Sequence, residues 1–313
     1  MSSLRQCLII DPMHISIFTM LKEIGWEGVD VSVKDIASIK PLINQYEGLF
    51  VRTRTRVDEQ LLGNKPTIKF VGRAGAGLDN IDQEFLLKHN IKVLHASEGN
   101  RDAVGEYAVG ALLSLLRNIP RADAEVRQSI WLREENRGEE LMGKTVGIIG
   151  YGNMGKAFAK RLSGFGCKVI AYDKYKQSIS DEWSHEASLE NIFEETDILS
   201  LHIPLTHETR EMLSMEFITR FKKPFILINT ARGEIVKLNT LASGIETGII
   251  RGAALDVLEN EKLTSLTSEQ QKAFTFLTHR KNVIFTPHIA GWTNESHYKI
   301  NQILVQKLQA LGF

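Results

Sequence analysis

The chain has 313 residues, and 38 Lys plus Arg balance 38 Asp plus Glu, so the formal charge at neutrality is zero. A balanced charge excludes a general polyanion or acidic-membrane binder, which needs a positive field, so neither a nucleic-acid nor a membrane partner is expected. Hydrophobic residues at 43% and charged residues at 24% exclude a disordered chain and leave enough apolar mass for one large or two medium cores.

The N-terminal segment lacks a signal-peptide layout, because its apolar run Cys7–Ile10 stops at Asp11. No apolar stretch approaches the ~20 residues of a membrane helix, and a cytoplasmic protein is expected. Residues 7–11, 48–51, 68–71 and 91–96 read as buried strands, with helix-period segments at 15–24, 36–46 and 83–89 among them. Residues 106–116 form an Ala- and Leu-rich helix pattern, and 121–142 read as helix then loop. A second strand series follows at 145–150, 168–173, 197–203, 225–230, 252–257 and 282–287, and a last helix is predicted over 294–310. Strand–helix alternation predicts parallel strands with crossover helices, hence an α/β fold. Two such series predict two doubly wound parallel-sheet domains. The two cysteines, Cys7 and Cys167, form neither a metal-ligand spacing nor a disulfide framework, and no metal site is expected.

The strongest local motif is Gly150-Tyr-Gly152-Asn153-Met154-Gly155, which follows the strand TVGII and opens a helix with Met154, Phe158, Leu162 and Phe165 on one stripe. Gly150 suits the tight turn, Gly152 the close approach of a pyrophosphate and Gly155 the packing of helix on strand. The helix N-terminus adds N–H groups and a positive dipole end. Asp173 ends the next strand, where a carboxylate bonds the ribose hydroxyls and repels a 2′-phosphate; NAD is therefore the expected cofactor, with Lys174 and Lys176 weakening the exclusion of NADP. A second glycine cluster, Gly72-Arg73-Ala74-Gly75-Ala76-Gly77, lacks the third glycine of a nucleotide turn. It follows a strand, and its N–H groups suit either a carboxylate or a plain turn.

A nicotinamide cofactor calls for a proton donor or acceptor and a substrate anchor. Three predicted strands end in such groups: Arg232 after FILINTA, the acids Asp256, Glu259 and Glu261 after GAAL, and His288 after NVIFTP. An arginine grips a carboxylate or keto oxygen bidentately, and a histidine titrates near neutrality. Arg52, Arg54 and Arg56 alternate in VRTRTRV and share one face if the strand at 48–51 runs on. His202, in LHIPLT, reads as structural.

These motifs, together with VRTRTRV and TPHIAG, run through nearly the whole chain in an order that resembles the D-isomer-specific 2-hydroxyacid dehydrogenases, and within them the D-3-phosphoglycerate dehydrogenase branch. The resemblance implies a Rossmann-like NAD-binding domain at 100–286 and a flavodoxin-like substrate domain at 1–99 plus 287–313, with a cleft between them. It implies a catalytic trio of Arg232, Glu261 and His288. It places Gly150, Gly152, Asn153, Met154, Gly155, Asp173, Ile203, Pro204, Thr230, Ala231, Asp256, Ala290, Gly291 and Ala76 at the cofactor, and Arg52, Arg73, Ala74 and Gly75 at the substrate with Arg232 and His288. Lys262 stands where the family has proline, which leaves Glu259 a rival to Glu261. A small 2-hydroxy or 2-keto acid substrate, with a phosphate read by Arg52 and Arg73, a homodimer, and absence of the branch's regulatory C-terminal domain are further expectations. Glyoxylate or hydroxypyruvate reduction is the alternative within the family; an NAD(H)-sensing corepressor-like scaffold is the alternative outside enzymes.

Overall fold

The computed structural model describes residues 4–312, in two compact units: one runs up to Arg101 and resumes at Trp292, and the other is Asp102–Gly291. The first unit contains β1 (Arg5–Ile9), α1 (Ser16–Glu23), β2 (Trp26–Asp30), α2 (Ile36–Ile39), β3 (Gly48–Val51), α3 (Glu59–Leu62), β4 (Phe70–Arg73), α4 (Gln83–Lys88) and β5 (Lys92–His95). Helix α5 (Ser97–Leu116) carries the chain into the second unit. There follow α6 (Ile119–Arg127), β6 (Thr145–Ile149), α7 (Asn153–Leu162), β7 (Lys168–Tyr172), β8 (His185–Glu186), α8 (Leu189–Glu195), β9 (Ile198–Leu201) and α9 (Met215–Ile218). The unit ends with β10 (Phe225–Asn229), α10 (Leu238–Glu246), β11 (Ile250–Leu255), α11 (Ser268–Thr278) and β12 (Val283–Phe285), and α12 (Asn294–Ala310) returns to the first unit.

Both sheets are wholly parallel. The first runs β2-β1-β3-β4-β5 and the second β12-β11-β10-β9-β6-β7-β8. Successive side chains of a strand face opposite sides, so the buried runs feed two cores per sheet. In β10, Phe225 and Leu227 join one cluster with Leu199 and Leu255, while Ile226 and Ile228 join another with Ile148 and Phe158. In the first unit Leu49 and Val51 pack with Val71 and Leu86, while Phe50 packs with Phe70, Leu304 and Leu308. In each sheet the chain order reverses at one point, between β1 and β3 in the first and between β6 and β9 in the second. Loops diverge there at the carboxyl ends of the strands and leave a crevice, the general location of ligands in open α/β sheets.

Two departures from the sequence reading have physical reasons. Strand β2 was not predicted: as an edge strand pairing only with β1, it tolerates the Glu and Gly of WEGVD and needs no continuous apolar run. Strand β3 stops at Val51, so the alternating Arg52, Arg54 and Arg56 lie in the following loop and are not aligned by a sheet.

Candidate active site

The glycine turn sits between β6 and α7, at the switch point of the second sheet. Gly150 has φ +95°, and a Cβ there would lie 2.5 Å from the His202 carbonyl oxygen and 2.7 Å from Ile203 Cγ2, so the turn after β6 presses on the segment after β9. A Cβ on Gly155 would lie 2.2 Å from the Gly150 carbonyl oxygen, which fixes how closely the helix approaches the turn. Gly152 is different: a Cβ would meet only Lys176 Nζ, at 3.9 Å, so the residue opens a cradle. It is also the N-cap of α7 and offers no side chain to the first-turn N–H groups. Asp173 accepts hydrogen bonds from the backbone N–H groups of Tyr151 (3.0 Å) and Tyr175 (3.1 Å), which aims its carboxylate at the same turn. Lys174 is drawn to Glu208 at 2.6 Å, whereas Lys176 donates to the Tyr151 carbonyl at 3.3 Å. Thr230 Oγ1, just past β10, is buried with no hydrogen-bond partner among the described residues.

The ends of β10, β11 and β12 assemble a second group. Asn229 holds the loop after β10 by accepting from Ala231 N (3.0 Å) and donating to the Arg232 carbonyl (2.9 Å). Gly233 has no room for a side chain, since a Cβ would lie 1.9 Å from the carbonyl carbon of Leu258; the loops that carry Arg232 and Glu261 therefore touch backbone to backbone. Asp256 is 1% exposed and accepts from Thr286 Oγ1 (2.7 Å), Ile289 N (2.8 Å) and Ala290 N (2.8 Å). The Tyr107 hydroxyl donates in turn to Thr286 Oγ1, and burial raises the phenol to about 12, so Tyr107 remains a donor. This network holds His288 in the left-handed region at φ +56°, a conformation that costs a non-glycine residue ~1–2 kcal/mol.

His288 Nδ1 lies 2.9 Å from Glu261 Oε1. The hydrogen bond and charge of Glu261 raise the imidazole above its ordinary range, against burial and the nearby Arg232, with Asp256 adding to the rise. Glu259 is engaged elsewhere, accepting from Leu238 N (2.8 Å) and Gln270 Nε2 (3.0 Å), so the acid beside His288 is Glu261. His202 is half-buried, bonded through Nε2 to Ser200 Oγ at 2.8 Å, and pushed down to about 3 by desolvation; it packs against Phe158 as a neutral structural residue.

In the first unit, Arg52 follows β3 and Arg73 ends β4. Arg73 is 9% exposed and folds over Gly75, donating to the Ala74 carbonyl at 3.2 Å. Arg52 donates to the Pro12 carbonyl at 3.2 Å and stacks on Trp292, with 4.3 Å from Cζ to the ring centroid. Arg54 pairs with buried Asp11 at 3.1 Å and donates to the carbonyls of Ser32 and Ile10, a structural clamp after β1. Arg56 pairs with Asp58 at 3.2 Å. Ala76 is half-buried in the bend after β4.

The family model for the NAD-binding domain of D-isomer-specific 2-hydroxyacid dehydrogenases matches residues 109–290. The chain belongs to this family. It is 36% identical to a hydroxypyruvate reductase of Thermotoga maritima, over 85% of each chain. It is 34% identical to a D-3-phosphoglycerate dehydrogenase of Bacillus subtilis over 87% of its own length, and spans 50% of that relative. Among solved structures it is similar to D-lactate dehydrogenase from Aquifex aeolicus complexed with NAD and lactic acid, with a TM-score of 0.82, 28% identity and coverage of 98% of this chain and 95% of the other.

The protein is thus an NAD-dependent oxidoreductase of the 2-hydroxyacid dehydrogenase family. The open cradle at Gly152, the uncapped start of α7, the aim of Asp173 and the orphaned Thr230 hydroxyl fit a dinucleotide. No helix among the described residues is long and apolar enough to cross a membrane. The Tyr107–Thr286–Asp256 chain and the Gly233–Leu258 contact were missed in the sequence. No spacing signals them, because each joins segments that only the sheet order makes neighbours.

Proposed function

We propose that the dehydrogenase interconverts a D-2-hydroxy acid and its 2-keto acid with His288 as acid/base, Glu261 as its orienting partner and Arg232 as the anchor of the substrate's carboxylate or keto oxygen. The observation that carries this reading is the 2.9 Å contact between His288 Nδ1 and Glu261, which leaves Nε2 as the ring nitrogen for substrate. NAD, when bound, accepts or returns the hydride. In oxidation neutral His288 takes the hydroxyl proton at Nε2; in reduction the imidazolium gives it back. Glu261 favours the charged form, and the guanidinium of Arg232, steered by its 2.6 Å bond to the Ala231 carbonyl, presents the remaining donors of a planar fork. The glycine turn, Asp173, Ile203, Pro204, Thr230, Ala231, Asp256, Ala290, Gly291 and Ala76 are assigned to the nucleotide. The first unit, with Arg52, Arg73, Ala74 and Gly75, is assigned to the substrate.

Within this reading the substrate is 3-phospho-D-glycerate, a reading supported by the phosphoglycerate dehydrogenase relatives and by Arg52. A hydroxypyruvate reductase is the second reading, favoured by the 36% identical relative that matches over 85% of both chains. Specificity constants for 3-phosphohydroxypyruvate and hydroxypyruvate decide between them: the first reading expects a preference of orders of magnitude for the phosphorylated acid, and equal use refutes it. A homodimer is proposed as the working form, with exposed Ile119, Val126, Ile130 and Trp131 of the second unit as its apolar surface; a monomeric mass in light scattering refutes it.

A further inference from the structure

The loop after β7 folds back over the glycine turn, and Tyr151 holds it there. Tyr151 is fully buried, and each of its polar groups goes to that loop. Its N–H donates to Asp173 at 3.0 Å, its carbonyl accepts from Lys176 Nζ at 3.3 Å, and its hydroxyl donates to Asp181 at 2.8 Å. Asp181 also accepts from the N–H groups of Trp183 (3.0 Å) and Ser184 (3.2 Å). Ile179 N donates to Glu186 at 2.9 Å, so the loop is pinned at its far end too. Lys176 is therefore carried by a folded segment.

The cations around the turn are not equivalent. Lys174 goes to Glu208 at 2.6 Å, an acid that the Tyr175 hydroxyl also bonds at 2.7 Å. Lys156 lies 3.7 Å from Asp181 and 5.4 Å from the centroid of the Tyr151 ring. Lys176 bonds a neutral carbonyl and no carboxylate among the described residues, which leaves it a full charge and two of its three N–H donors. Its ammonium stands at the rim of the space that Gly152 keeps open. Apart from chain neighbours, it is the one group within 4 Å of where a Gly152 Cβ would lie, at 3.9 Å. Gly152 is where the turn lets a pyrophosphate approach the backbone. The first three residues of α7, Asn153, Met154 and Gly155, carry no charge, and the helix end supplies only about half a unit of positive charge. Most of the charge of a doubly anionic pyrophosphate is thus left for a side chain to counter.

We propose that Lys176 completes the phosphate cradle, its ammonium donating to a pyrophosphate oxygen of the bound dinucleotide. The ribose is left to Asp173, whose carboxylate is aimed by Tyr151 N and Tyr175 N. Lys176 therefore strengthens NAD and NADP alike and does not relax the choice between them, contrary to what its place beside Asp173 in the chain suggests. The inference rests on the assignment of the glycine turn to the nucleotide and is independent of which 2-keto acid is turned over. Lys176 touches the cofactor's phosphates and not the reacting atoms; it is a binding residue.

The test measures binding without turnover, by calorimetry for NAD, NADP and ADP-ribose and by displacement of NADH fluorescence for adenosine, in wild type, Lys176→Met and Lys176→Arg. Methionine keeps most of the aliphatic stem and loses the ammonium. In Lys176→Met the dissociation constants of NAD, NADP and ADP-ribose are expected to rise together by about tenfold or more, the scale of one lost hydrogen bond to a charged group, while that of adenosine stays within about twofold. Arginine, still a cation, restores most of the loss. The difference between wild type and Lys176→Met should also shrink from about 0.01 to 1 M salt, over which the screening length falls from about 30 to 3 Å. Unchanged constants in Lys176→Met overturn the proposal. An equal loss for adenosine overturns it too and makes Lys176 a tie to the Tyr151 carbonyl. A loss confined to NADP overturns it as well and puts the ammonium at the ribose 2′-position. Failure of wild type to bind either NAD or ADP-ribose refutes the assignment of the turn to the nucleotide, and the proposal with it.

Discussion

Asp256→Asn is the sharpest test of how the site is held. The carboxylate is 1% exposed and collects three donors: Thr286 Oγ1 and Ile289 N on one oxygen, Ala290 N on the other, at 2.7, 2.8 and 2.8 Å. Asparagine keeps its carbonyl best where two donors converge, which turns its amide toward the N–H of Ala290, itself buried. One charge-assisted bond, worth ~1.5–3 kcal/mol, is lost, and a buried N–H is left without an acceptor at ~1–3 kcal/mol. Even the low ends sum to about 2.5 kcal/mol, which lowers the melting temperature of a unit of this size by roughly 5–10 °C. Because Ala290 and Ile289 follow His288, the same change moves the imidazole, and a displacement of about 1 Å costs on the order of 10²-fold in turnover. Thermal melts by circular dichroism and steady-state kinetics measure the two effects separately, and calorimetric NAD titration shows whether the nucleotide site survives. A variant melting within 2 °C or so of wild type, with turnover within about twofold, refutes the claim that Asp256 holds the His288 loop.

Glu261→Gln removes the largest cause of the raised His288 pKa, so both the rise of oxidation with pH and the loss of reduction with pH should move to lower pH. Glu259→Gln should leave both profiles in place and instead loosen the start of α10; pH–rate profiles in both directions decide, and movement only in the second variant reverses the roles. His288→Gly should be more stable than His288→Ala by about 1 kcal/mol, because glycine accepts φ +56° without strain; equal denaturation midpoints contradict a strained backbone at this position. Asp173→Ala should weaken NAD binding and narrow the preference over NADP, as ribose contact and repulsion of a 2′-phosphate go together; a wild type with the higher specificity constant for NADPH defeats this reading.

The central strands were legible because parallel strands covered on both faces must be continuously apolar, as FILIN and TVGII are. Helix α5 begins at Ser97, well before its apolar pattern at Glu106, because tertiary contacts hold its polar first turns: Glu98 pairs with Lys307 at 2.8 Å and Gly99 lies against the backbone of Ile300. Residues of the candidate site that end strands could be read from the chain, since strand position and chemistry coincide at Arg232, Glu261 and His288. The surroundings of Arg52 could not: Trp292 and His297 come from a distant segment, carry no motif, and reach it only because α12 packs against α1 and β5 and shares a core with Phe50. The arginines of VRTRTRV show the reverse error, a repeat that looks like one function and resolves into a ring stack, a buried clamp and a surface pair.

The Gly233–Leu258 approach bears on how such a protein can diversify. With backbone against backbone at that point, any side chain at 233, or any inserted residue in either loop, displaces Arg232 and Glu261 together. The segments that carry the proton-transfer groups are therefore a poor place to vary, since a change that suits a new substrate would disturb the acid/base pair as well. The segments after β1 and β3 and the first turn of α12 are joined mainly through exchangeable side chains. New substrate specificities should then arise by substitutions among those positions, leaving the loops of the second unit fixed in length.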